Sequence, residues 1–108
     1  MNCKQGDLAI IIRAVVPENI GKIVEVVRAP NMEDSFIPID GGATWRMDPT
    51  LDWSNSWVVR SHGAPLAWGS RDKKVALFRE RPFVDAALRP IPKLDEPEDV
   101  TTEKELTV

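Results

Sequence analysis

Apolar and polar positions alternate with a period of two in several short runs of this chain, the side-chain period of a β-strand. Leu8, Ile10 and Ile12 alternate with Ala9, Ile11 and Arg13. Val16-Pro17-Glu18-Asn19 then supplies turn residues in Pro17 and Asn19. From Lys22 to Arg28, Val24 and Val26 form the inner face of a second strand, Lys22 and Arg28 cap its ends, and Glu25 faces solvent. A helix is disfavoured here, because β-branched residues crowd the run and Pro17 and Gly21 interrupt it.

Pro30 ends the second strand by removing a ladder donor. The segment from Asn31 to Ser54 is the least regular part, with Pro38, Gly41, Gly42 and Pro49, and reads as a long loop crossed by a short edge strand at Phe36–Ile39. Ser56–Ser61 is a third strand, with Trp57, Val59 and Ser61 on one face and Val58 and Arg60 on the other. His62–Pro65 is a tight turn, Leu66–Trp68 pairs back on the third strand, and Gly69–Asp72 turns again into a strand at Lys74–Phe78. Pro82–Asp85 suits a 3₁₀ turn before a closing strand, Leu88–Ile91, which Pro90 confines to an edge. These spacings predict an all-β fold: a small SH3-like five-stranded barrel with a long loop after the second strand. A five-stranded OB barrel is the rival, but it wants longer strands and a helix, and no helical stripe of that length is present.

The 108 residues are expected to form one domain over 1–93 and an acidic disordered tail over 94–108. Residues 1–93 carry a net charge of +2 and the tail −5, against −3 overall. A mildly basic body permits nucleic acid without the strong patch that such binding usually shows. The single cysteine, Cys3, excludes an intrachain disulfide and reads as a partly buried, inert thiol. No apolar run reaches the ~18 residues of a membrane span. The first residues, MNCKQGD, lack the apolar core of a signal peptide, so a cytoplasmic location is expected.

Gly6-Asp7, the apolar strand, the turn and Asn19-Ile20-Gly21-Lys22-Ile23-Val24 together resemble a KOW-type segment of an SH3-like barrel, over roughly a quarter of the chain. That resemblance implies a barrel whose turn glycine tolerates positive φ. Pro17 and Glu18 stand where the pattern has a second glycine. Over the C-terminal half, Ser56–Ser61, Gly63-Ala64-Pro65-Leu66, Asp85 and Leu88–Ile91 with the acidic tail resemble small proteins of phages and prophages of proteobacteria that have no assigned activity. This second resemblance implies an origin and no chemistry.

Catalytic chemistry is not expected. His62, the one histidine, follows Ser61 directly, and adjacent side chains on a strand point apart. One Cys and one His cannot make a zinc site, the carboxylates from Glu33 to Asp52 lack calcium-loop spacing, and Gly41-Gly42 is not followed by the Lys-Ser/Thr of a phosphate cradle. Neither a metal nor another cofactor is expected. Binding is the better reading. Trp45, Trp53 and Trp57, flanked by Asp48 and Asp52, are expected to line a groove for a protein or peptide carrying proline and basic side chains. Trp68 is expected to be core or edge packing. The alternative is a KOW-like nucleic-acid-binding barrel that uses Arg13, Lys22 and Arg28, with Arg46 and Arg60 as further cations and Trp45 as a stacking platform. Nothing in the residues selects an oligomeric state or identifies the partner.

Overall fold

The computed structural model describes residues 1–70 and 72–92, and among these described residues there are nine short strands. In order they are β1 (Leu8–Ile11), β2 (Ile23–Arg28), β3 (Ser35–Phe36), β4 (Trp45–Arg46), β5 (Ser56–Ser61), β6 (Leu66–Gly69), β7 (Val75–Phe78), β8 (Glu80–Val84) and β9 (Leu88–Pro90). Two 3₁₀ turns, Pro17–Asn19 and Asp85–Ala87, complete the elements. The expected acidic tail lies outside the described residues.

The fold is all-β, and five strands do form one antiparallel sheet, in the order β8-β5-β2-β1-β9. The closed five-stranded barrel is corrected: β8 and β9 are free edges of that sheet, while β3-β4 and β6-β7 are separate two-stranded sheets. Leu66–Trp68 pairs with β7, Leu66 opposite Phe78 and Trp68 opposite Ala76, and not with the Ser56–Ser61 strand. The place beside β5 belongs instead to β8, with Val58 opposite Pro82. Pro82 made this stretch look like a turn. An edge strand needs no ladder donor on its outer side, and that is where proline is tolerated. The 3₁₀ turn accordingly falls three residues later than expected, at Asp85–Ala87. The short strand expected at Phe36–Ile39 is Ser35–Phe36, paired with Trp45–Arg46.

The first hairpin follows the alternation. Ala9 and Ile11 of β1 and Val24 and Val26 of β2 are buried, whereas Leu8 and Ile23 are exposed. Gly21 takes φ 91° in the connection, a conformation open to glycine, and donates its N–H to Ile11 O at 2.8 Å. Between Val26 and Arg28 the pairing of β2 with β5 slips by one residue, a bulge that bends and twists the sheet.

Two apolar clusters result. One gathers Ala9, Ile11, Val24, Val26, Val59, Phe83 and Leu88 beneath Cys3, Leu66 and Ala87. The other gathers Phe36, Met47, Val58, Trp68 and Phe78, with Trp45 and Trp53 packed against it. Val58 and Val59 are neighbours in sequence yet belong to different clusters, so β5 is covered on both faces. Phe78 contacts Trp45 and Trp68 edge-on, with centroids 5.3 Å apart in each pair, an arrangement that aromatic quadrupoles favour.

Asn19 joins the 3₁₀ turn after β1 to β6. It is fully buried, its amide donates to Ala67 O at 2.7 Å, and its Oδ1 accepts the Ala67 N–H at 2.8 Å. Lys22 Nζ reaches the same Oδ1 at 3.3 Å and Pro65 O at 2.6 Å. Removing the amide orphans a buried N–H, which costs about 1–3 kcal/mol per group. Asn19→Ala is therefore expected to lower the free energy of unfolding by about 2–4 kcal/mol in urea denaturation. Leu77→Ser, at an exposed position of β7, is expected to stay within about 0.5 kcal/mol of the parent.

Candidate functional site

Of the tryptophans expected to share a groove, Trp45 and Trp53 pack against the same apolar cluster and Trp57 against the other. Trp45, on β4, is half-buried and packs on Trp68 at 5.4 Å and on Phe78. Trp57, on β5, packs against the first cluster and donates its indole N–H to Asp85 Oδ1 at 2.9 Å. Trp53 alone faces a cleft, held by an indole N–H bond to Asp48 O at 2.9 Å. Neither flanking carboxylate is among the residues that wall this cleft. Asp48 Oδ1 accepts the Thr50 N–H and hydroxyl, and Asp52 Oδ1 accepts the Ser54 N–H at 2.9 Å, both bonds shaping the local turns. The bonds from Ser54 hold the Asp52 carboxyl below the ordinary aspartate range.

The cations expected to bind nucleic acid are likewise dispersed. Arg28 is ion-paired with Asp34 at 2.9 Å, and Arg60 with Glu80, where Nε lies 2.6 Å from Oε2. Glu80 also raises the Arg60 guanidinium above its ordinary range. Lys22 turns toward the Pro65 carbonyl. Six strand positions put Lys22 and Arg28 about 20 Å apart. Arg46 is exposed on β4. Arg13 donates to Ala86 O at 3.0 Å and stands beside the cleft that Trp53 lines.

That cleft, about 490 Å³, lies between four parts of the chain. Arg13 to Val16 form one side and Leu51 with Trp53 another, while Trp68 and Gly69 of β6 and Arg81, Phe83 and Val84 of β8 supply the rest, with Ala87. Its size falls in the range of ligand sites. Its rim is unusually apolar for a surface: Leu51 is 56% exposed, Val15 fully exposed and Val84 42% exposed.

Arg81 is the one strongly placed polar group in it. The guanidinium lies over Phe83 at 4.1 Å and over Trp68 at 5.1 Å, both cation–π distances. Its Nε donates to Pro82 O at 2.9 Å and its Nη1 to Ala67 O at 2.8 Å. Burial pulls its pKa down to about 9, so the group stays charged at neutral pH with neutral partners only. Sequence reading missed Arg81, Trp68, Phe83 and Leu51. The available signal was the alternation of Arg81 and Phe83 on one strand face, masked by Pro82 between them.

The other reactive groups lie elsewhere. His62 Nε2 and Glu25 Oε1 are 2.8 Å apart on the outer face of the β2–β5 pair. Cys3 is buried, and its thiol is pushed up to about 11 by burial and then by the charges of Asp85 and Asp7, which leaves it protonated and inert at neutral pH. Among the described residues no group of three or more His, Cys, Asp or Glu is placed to hold a metal ion, and no helix is long and apolar enough to cross a membrane.

Asp85 ties Trp57 to the start of the chain. Its carboxylate accepts the backbone N–H groups of Asn2 and Cys3 and the Trp57 indole. Burial alone would raise its pKa, but these donors and the N-terminal charge outweigh burial and hold it below the ordinary aspartate range. A depressed folded-state pKa contributes stability above the unfolded-state value, and that contribution is lost as pH falls through the folded value. Asp85→Asn is thus expected to lose stability relative to the parent at pH 7. The gap should close as pH falls below about 4, measured by urea denaturation across pH 7 to 3. A gap independent of pH would show that the carboxylate charge has no part in the clamp. Comparison with known proteins finds no family model, no curated protein and no solved structure that matches this chain.

Proposed function

We propose that this protein is a non-enzymatic binding or accessory module that docks a segment of a protein partner in the cleft walled by Trp53 and Trp68. The observation that carries this reading is the cleft itself, an apolar concavity with Leu51, Val15 and Val84 left exposed at its rim. Apolar side chains converging on one concave site are what a docked peptide covers. The strand order supports an SH3-like relation: β9 returns beside β1 through the Asp85–Ala87 turn, and β1, β2, β5 and β8 follow one another as a meander. Association with a phage or prophage rests on the sequence resemblance of the C-terminal half alone.

A KOW-like nucleic-acid role through Arg13, Lys22 and Arg28 has less support. Phosphate binding needs cations that converge and are free to release counterions, and Arg28 is already paired with Asp34.

The test is selection of a random peptide library on the intact protein. Binders are expected, and Leu51→Asp and Trp53→Ala should each weaken them by about tenfold or more, as anchor residues at interfaces do. Leu51 is exposed, so its variant should melt like the parent. Absence of binders, or binders indifferent to both substitutions, would sink the proposal.

A further inference from the structure

The cleft's two arginines set what it can take. Most of its walls are hydrocarbon or aromatic, and a chain of phosphates would have to bury several charges against them. A single anionic group, by contrast, meets Arg81. Among the described residues the ion pairs are Arg28–Asp34, Arg60–Glu80 and His62–Glu25, and Arg81 is in none of them.

The Arg81 guanidinium is also fixed in place. Two carbonyls hold Nε and Nη1, and two aromatic rings lie within cation–π distance of it. Its Nη2 donates to no protein acceptor among the described residues. A half-buried guanidinium with only neutral acceptors is poorly compensated, and a carboxylate is the group whose planar geometry and charge match it. Arg13, exposed beside the cleft, adds a second positive charge near the entrance.

We propose that the cleft selects partner segments in which a carboxylate lies next to a large apolar side chain, the carboxylate taken by Arg81 and the apolar group packed between Trp53, Leu51 and Val84. The carboxylate is an aspartate or glutamate side chain or the chain terminus of the partner. This specificity rests on the docking role proposed above and reverses the expectation of a basic peptide. The change follows from where the charges lie: Asp48 and Asp52 are used in turns outside the cleft, and the group within it is an arginine.

The experiment extends the library selection with two peptide formats, one with free and one with amidated C-termini. Selected sequences are expected to share Asp or Glu beside Leu, Ile, Phe or Trp, or to require the free terminus, and the two formats tell these sources apart. A synthetic binder is then compared with its Asp→Asn, Glu→Gln or amidated counterpart by titration of tryptophan fluorescence. The neutral peptide is expected to bind at least about tenfold more weakly. In Arg81→Gln the charged and neutral peptides should bind alike, at the affinity of the neutral peptide for the parent. Arg81→Lys should keep only part of the preference, because it retains the charge without the planar fork. A role of Arg81 in the fold alone would weaken both peptides equally.

Charged and neutral peptides binding the parent alike, while Trp53→Ala still weakens both, would overturn the carboxylate specificity and leave the docking role standing. No binder in either format would overturn both. Displacement of the peptide by a single-stranded oligonucleotide at a lower concentration than the peptide itself requires would overturn the assignment in favour of phosphate recognition. Should Arg81→Gln fail to fold, the comparison of the two peptides on the parent protein decides the matter by itself.

Discussion

The backbone N–H and carbonyl of Ala67 tie together the parts of the chain on which the cleft depends. The N–H goes to Asn19 Oδ1, and the carbonyl accepts both the Asn19 amide and Arg81 Nη1. The 3₁₀ turn after β1, the strand β6 and the arginine of β8 thereby meet at one buried point. None of these three elements is adjacent to another in sequence. The bonds convert a set of long-range contacts into a fixed floor, since buried donors and acceptors tolerate no other arrangement without losing partners. The aromatic cluster around Trp68 supplies the complementary constraint, because the same indole packs on Phe36, Trp45 and Phe78 and presents itself to Arg81.

Charge in this protein is mostly spent locally. Arg28 with Asp34 and Arg60 with Glu80 pair within the sheet or its adjoining turn, and Asp40, Asp48 and Asp52 accept backbone N–H groups two residues on. Such groups shape the surface and contribute modestly to stability. Asp85 and Arg81 differ in that the first is buried and the second half-buried. Asp85 is surrounded by donors and serves the fold, binding the N-terminal segment to β5 through Trp57. Arg81 is surrounded by carbonyls and rings, and its positive charge has no anionic partner among the described residues. One charge is complete within the molecule and the other is not, and this asymmetry separates the site that serves the fold from the proposed docking site.

The chain's local preferences were legible where a face is buried and a turn is chemically marked. Alternation at Val24 and Val26, the glycine at 21 and the strand at Ser56–Ser61 all stand as read. Reading failed at Pro82, where a residue that usually signals a turn sits in an edge strand, and this one error moved the 3₁₀ turn and hid β8. For the tryptophans, clustering along the chain only partly matches clustering in space. Trp45 and Trp53 pack against one apolar cluster and Trp57 against the other, and of the three Trp53 lines the cleft.

By itself the sequence determined that the chain is all-β, that Val24 and Val26 face inward, and that no disulfide joins the domain. These follow from period-two patterning, residue stereochemistry and a cysteine count, all of them local or compositional. Only the tertiary structure decided that the main sheet stays open at β8 and β9, which of the three loop and strand tryptophans lines the cleft, and that half-buried Arg81 has no ion-pair partner among the described residues. Strand order and the solvation of a charge depend on which distant segments come to lie alongside, and the pattern of neighbours along the chain does not encode that pairing.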